Sequence, residues 1–192
     1  MLLFVISVVA TNSYIQSTNN LLIISLAAAD LLFVIFCIPF TATDYVLSKW
    51  PFGLLWCKIV KYMIAVTLHA SAYTLVLMSL DRFLAVVHPI TSMSVRTEKN
   101  AILIIGAVWI SIAISAVPVA TSHGVLYFSS TGSDLTACLF LYTNGYKLVV
   151  YHTSFFVSSY AVPLTLITLL YVGMLARLWR GTPIGRTSAE SR

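Results

Sequence analysis

Charge is scarce in this chain. Asp, Glu, Lys and Arg make up 9% of its 192 residues, against about 25% in soluble domains. Such a sequence cannot clothe an ordinary water-facing surface. No Lys/Arg run of the kind that grips nucleic acid occurs, so no nucleic-acid partner is expected. Cysteine is sparse, and Cys37, Cys57 and Cys138 have no CxxC spacing, which argues against a zinc or thioredoxin-like site. His69, His88, His123 and His152 are never four apart, so HExxH is missing, as are GxSxG and a P-loop. Neither an enzyme nor a metal site is expected. No internal repeat is visible, which speaks against a transporter, the remaining membrane class to weigh.

Apolar residues fill the rest: 59% of the chain is hydrophobic and the mean hydropathy is +0.95. Residues 21–43, 59–80, 101–122 and 148–176 are each long enough for a membrane helix, which needs about 20 residues. Strand alternation is absent, excluding a membrane barrel. The composition predicts an all-α membrane protein. The amino terminus differs, because only "MLLFVISVVA" is apolar before the polar "TNSYIQSTNN". Ten residues reach about 15 Å, half a span. Residues 1–10 are either a signal-peptide core or the end of a span that starts outside this chain. A basic leader is missing and "VVA" is a poor cleavage site.

Loop charge supports the second reading. With residues 1–10 ending a span, Arg82, Arg96, Lys99, Arg177, Arg180, Arg186 and Arg192 share one side. Lys49, Lys58, Lys61 and Lys147 share the other. The positive-inside rule makes the first side cytoplasmic and the amino terminus of the full-length protein extracellular. Residues 177–192 then begin a cytoplasmic loop. Cys57 and Cys138 both fall on the outer side, where a disulfide can form, with two free thiols as the alternative. Asp30 lies near the middle of its span and must face the interior; it is an ion or proton site, or a hydrogen-bonded structural acid. Pro39, Pro118 and Pro163 are expected to kink their helices.

Several residues stand at telling intervals: "LAAADLL", "WPFG", Cys57 with "SLDRFLAVVHP" 25 residues on, Trp109, Cys138, and Pro163 followed by Tyr171. This ordered set resembles the rhodopsin-like G-protein-coupled receptors, from the end of helix one through helix five. The chain would then be a fragment of a seven-transmembrane helix bundle, unable to signal alone. "TATDYVLSKWPFG", "SMSVRTEKNAI", "SSYAVPL" and "RTSAESR" are similar to the arthropod allatostatin-A receptors, relatives of the galanin receptors. Another peptide-receptor branch, somatostatin- or opioid-like, is the alternative.

The resemblance implies roles. Cys57 and Cys138 match the outer disulfide. Asp81 and Arg82 match the acid–base pair of helix three, in which the Asp restrains the Arg until a G protein receives it. Phe83 stands where the family usually has Tyr, and Tyr171 matches the helix-five activation tyrosine. Asp30 and Ser71 match two members of a sodium pocket, so a sodium ion is the one cofactor implied. Ile64 stands where amine receptors carry an Asp, which favours a peptide ligand. An amidated allatostatin-A-type neuropeptide, an inhibitory-class heterotrimeric G protein and the plasma-membrane bilayer are the implied partners. Asp44, Tyr45, Lys61, Tyr62, Ile64 and His123 are the peptide-contact candidates at the outer rim, with Trp50, Phe52 and Tyr127 nearby; aromatic residues also gather at membrane interfaces for their own reasons. His69 and His152 are expected to hydrogen-bond across the bundle.

Overall fold

A computed structural model describes residues 18–47, 49–130, 133–141 and 148–180. The expected span at residues 1–10, Lys147, and Arg186, Arg192 and the rest of the tail lie outside the described residues. The elements are α1 (Thr18–Phe36), α2 (Ile38–Val46), α3 (Gly53–Val87), α4 (Pro89–Val95), α5 (Glu98–Ser115) and α6 (Val117–Ser122). There follow strands β1 (His123–Ser130) and β2 (Ser133–Phe140), then α7 (Leu148–Phe156), a π turn (Val157–Ala161) and α8 (Val162–Arg180). Thr18–Val46, Gly53–Val87, Glu98–Ser122 and Leu148–Trp179 are long and apolar enough to cross a membrane. The chain is therefore multi-pass, and its helices run beyond the apolar stretches at most of their ends.

Each expected kink has a local cause. Pro39 sits in the first turn of α2 after a break at Cys37, and Pro118 in the first turn of α6 after Ala116. The π turn ends two residues before Pro163. A missing proline N–H leaves a carbonyl without its helical partner, and the backbone rewinds around the gap. Thr97 starts α5 as a side-chain cap, its hydroxyl accepting from the Asn100 N–H at 3.3 Å.

α3 is the axis of the molecule. At 35 residues it is about 52 Å long, longer than a bilayer core of about 30 Å. It packs against α1, α4, α5, α6, β1, the π turn and α8. Its buried positions are small, including Ala65, Thr67, Ala70, Thr74 and Ser79, which lets several helices approach one backbone. The core joins Ala29, Ala65, Val66, Ala70, Ile112, Ala116 and Val119, flanked by Tyr62, Tyr73, Trp109, Tyr151 and Phe155.

The antiparallel hairpin β1–β2 adds strands to an otherwise helical bundle, with His123 opposite Phe140 and Val125 opposite Cys138. It lies at the Cys57 end of α3. The loop before α3 is tied to it, since the Trp50 N–H donates to both the carbonyl and the hydroxyl of Thr136 at 2.9 and 2.8 Å. The turn into α3 needs Gly53, whose φ of +73° is a conformation side chains disfavour. The Trp50 indole donates to the Gly53 carbonyl at 2.9 Å and closes that turn.

Candidate functional site

The residues singled out in the sequence gather at three levels along α3. At the first, Cys57 and Cys138, 81 positions apart in sequence, form a disulfide with Cα atoms 5.6 Å apart. Trp50 and Val60 are buried with it, and Phe40, Trp56, Ile64 and Val125 pack around. Phe40, Trp50, Phe52 and Trp56 meet edge-to-face at 5.0–5.3 Å, a favourable geometry for aromatic rings. "WPFG" is thus a brace between the loop and the hairpin.

The six rim candidates divide at this level. Tyr45 is 87% exposed, and Asp44 and Lys61 are half-buried. Tyr62, Ile64 and His123 turn inward. The Tyr62 hydroxyl donates to the Ala113 carbonyl at 3.0 Å and ties α3 to α5. Ile64 belongs to the packing around the disulfide. His123 is only 7% exposed, its Nδ1 2.8 Å from the Val119 carbonyl and its ring against Phe140 and Tyr151. Burial pushes its pKa below the usual imidazole value; the Val119 carbonyl opposes that shift, and the charges of Lys61 and His152 add to it.

At the middle level, the Ser71 hydroxyl donates to Asp30 Oδ1 at 2.9 Å. The half-buried acid of this span therefore has a partner on α3, as its depth in a membrane helix requires. One turn away, the Trp109 indole donates to Ser25 Oγ at 3.0 Å, and Ser25 and Thr74 hydroxyls lie 3.3 Å apart. This polar junction joins α1, α3 and α5. Ser25 and Thr74 were not among the sequence candidates, although a hydroxyl on an inward helix stripe is a readable signal. His69 bonds across the bundle to Ser158 at 3.0 Å. His152 is exposed, with its ring against Tyr151.

A cavity of about 820 Å³ opens between α3, α5–α6, α7 and the π turn and is lined by His69, Tyr73, Ser111, Ser115, Ser154 and Ser158 among others. None of the six rim candidates lines it.

At the third level Asp81 is 5% exposed and Arg96 33%. The Arg96 guanidinium donates two hydrogen bonds to the Asp81 carboxylate, at 2.7 and 2.8 Å. The expected restraint of Arg82 by Asp81 is therefore not the arrangement found. Neighbouring helix positions do not face each other, so an inward Asp81 leaves Arg82 outward, where it donates to Asn19 at 3.2 Å. Arg96 was read only as a loop charge, and it is the residue that completes this end. The Phe83 ring packs so close to Gly173 on α8 that a Cβ there would lie 2.9 Å from it. Tyr171 is half-exposed on the same helix.

Residues 3–192 match the family model of the 7 transmembrane receptors (rhodopsin family). An allatostatin-A receptor of Bombyx mori is 60% identical over 188 residues, 98% of this chain and 52% of that protein. The human galanin receptor type 3 is 36% identical over 177 residues, 92% of this chain and 47% of that receptor. The human galanin receptor type 1 is 39% identical over 164 residues, 85% of this chain and 46% of that receptor. The chain spans about half the length of these curated relatives. With one disulfide end, one charged end and a long axial helix between them, the chain belongs to the rhodopsin family of seven-transmembrane receptors.

Proposed function

We propose that this chain is part of a neuropeptide receptor that couples an extracellular allatostatin-A-type peptide to a heterotrimeric G protein. The 60% identity to the Bombyx mori allatostatin-A receptor across nearly the whole chain carries this reading. In it, the four described spans cross the membrane, and α8 ends on the cytoplasmic side. The disulfide end faces outward at the plasma membrane, as the unequal division of basic residues between the two sides also favours. The peptide meets the rim at exposed Tyr45 and half-buried Asp44 and Lys61. Tyr62, Ile64 and His123 shape that rim from beneath. A hydrophobic Ile64 suits a peptide better than an amine, whose ammonium would need an acid.

At the other end, exposed Arg82 meets a G protein of the inhibitory class, with Asp81, Phe83 and Tyr171 as the switch around it. Asp30 and Ser71 fit a sodium ion, because both offer oxygen donors and already lie together inside the bundle. A bound sodium would neutralise the half-buried carboxylate. The test is a ligand panel on the full-length receptor, read as nucleotide exchange on the G protein. An amidated allatostatin-A-type peptide should activate, while galanin, somatostatin and amines should not. Preference for one of the other ligands would overturn the peptide assignment, and substrate flux without exchange would favour a transporter.

A further inference from the structure

The charged end holds an arrangement that neither composition nor family resemblance calls for. Asp81 carries one carboxylate, and two arginines lie near it, one in sequence and one in space. Arg82 is its covalent neighbour, and Arg96 arrives from the turn after α4. Arg96 has both oxygens. Its backbone is fixed independently: its N–H donates to the Ser92 carbonyl at 2.8 Å, and its carbonyl accepts from the Thr18 hydroxyl at 3.2 Å. A guanidinium already positioned by its backbone loses little freedom on binding, and its planar fork matches a carboxylate. Leu22, Leu77, Leu80 and Leu84 line the small cavity of about 60 Å³ beside the pair. Such apolar walls screen the attraction weakly.

We propose that Arg96 is a positioning residue for the G-protein-facing end, holding Asp81 occupied so that Arg82 stays available to the partner. This rests on the receptor reading above. Without Arg96, the buried carboxylate needs another cation. Among the described residues Arg82 donates to the half-buried Asn19 side chain, and it is the cation attached beside the acid. Arg96 and Arg82 therefore compete for one acid, and the winner sets whether Arg82 is presented or withdrawn.

The test uses the full-length receptor in bilayer discs, with Arg96→Gln, Arg96→Lys, Asp81→Asn and the Asp81→Asn/Arg96→Gln pair. Two readouts are taken: peptide-driven nucleotide exchange alongside peptide affinity, and the rate at which a dicarbonyl reagent modifies Arg82, followed by mass spectrometry. Arg96→Gln should slow exchange about five-fold or more at unchanged peptide affinity, and should protect Arg82 from the reagent. Arg96→Lys should recover part of both. In the Asp81→Asn background, Arg96→Gln should change neither, because no carboxylate remains to capture Arg82. If Arg96→Gln folds poorly, the double variant, which lacks the stranded charge, is compared with Asp81→Asn and must match it. Unaltered Arg82 reactivity in Arg96→Gln overturns the proposal, as does an exchange defect that persists undiminished without Asp81. A wild-type receptor with no peptide-driven exchange would instead overturn the receptor reading, while Arg82 reactivity would still decide the competition.

Discussion

The two ends of α3 are fastened by opposite means. At Cys57 a covalent bond, a nest of aromatic rings and two hydrogen bonds from Trp50 to Thr136 hold a hairpin over the bundle. At Asp81 one bidentate ion pair joins α3 to the turn after α4. A disulfide keeps its partners whatever the neighbours do. An ion pair with one member a third exposed can exchange partners when another charge arrives. The difference teaches where this helix can change: one end is built to stay, and the other to be renegotiated.

Cutting the covalent end should have the largest effect. The 81-residue separation closed by Cys57–Cys138 corresponds to about 4–5 kcal/mol in the chain-entropy model. Cys57→Ser should therefore lower the thermal midpoint of the detergent-solubilised receptor substantially and weaken peptide binding. Arg82 reactivity at the far end should stay as in wild type. An unchanged midpoint would show that ring packing alone holds the hairpin.

Breaking the ionic end comes next. Arg96→Ala strands a buried carboxylate, and with Arg96 a third exposed the loss should be about 2–3 kcal/mol, below the range for fully buried pairs. Arg96→Ala/Asp81→Ala should be more stable than Arg96→Ala alone, since the stranded charge is gone. Thermal melts of both variants check this, and equal melting would mean the acid finds no desolvation cost here.

The two ends were unequally legible in the sequence. Hydropathy located the four spans because a bilayer demands long apolar helices, and the shared outer side of Cys57 and Cys138 allowed their bond. The hairpin is not among the expectations, although "GVLYFSS" and "LTACLF" flank a short Gly-containing stretch of sequence, a recognisable strand signal. Arg96 escaped because a loop arginine satisfies the positive-inside bias regardless of what it touches. Tyr62, Ile64 and His123 read as rim residues from their place along the chain, but linear position says nothing of rotation. Only packing against α5, the disulfide and Tyr151 turns them inward.

A finer probe of the charged end lies at Gly173. A Cβ there would come within 2.9 Å of the Phe83 ring, whereas Gly106 on α5 has open space. Gly173→Ala should cost about 1 kcal/mol, overpacking outweighing the helical gain of alanine. Gly106→Ala should stabilise by about 0.5 kcal/mol, free of that clash. Equal shifts in thermal midpoint would mean that Phe83 yields without strain and that α8 does not depend on this close approach.

The smallest expected effect separates the ends by pH. Buried His123, at the disulfide end, has a folded-state pKa below its ordinary value of 6.5. The unfolded chain then binds more protons as pH falls below that value. Stability contributed by neutral His123 is complete above 6.5 and is lost on acidification toward the folded pKa. At the charged end, Asp81 holds the Arg96 guanidinium above its already high value, so Arg96 stays protonated throughout. The thermal midpoint should therefore drop between about pH 7.5 and about pH 5.5. His123→Phe keeps a ring against Phe140 and Tyr151 but cannot charge, so it should flatten much of that drop. Arg96→Gln should lower the midpoint at both pH values and leave the slope intact. A slope unchanged in His123→Phe would place the acid sensitivity elsewhere and remove this distinction between the two ends.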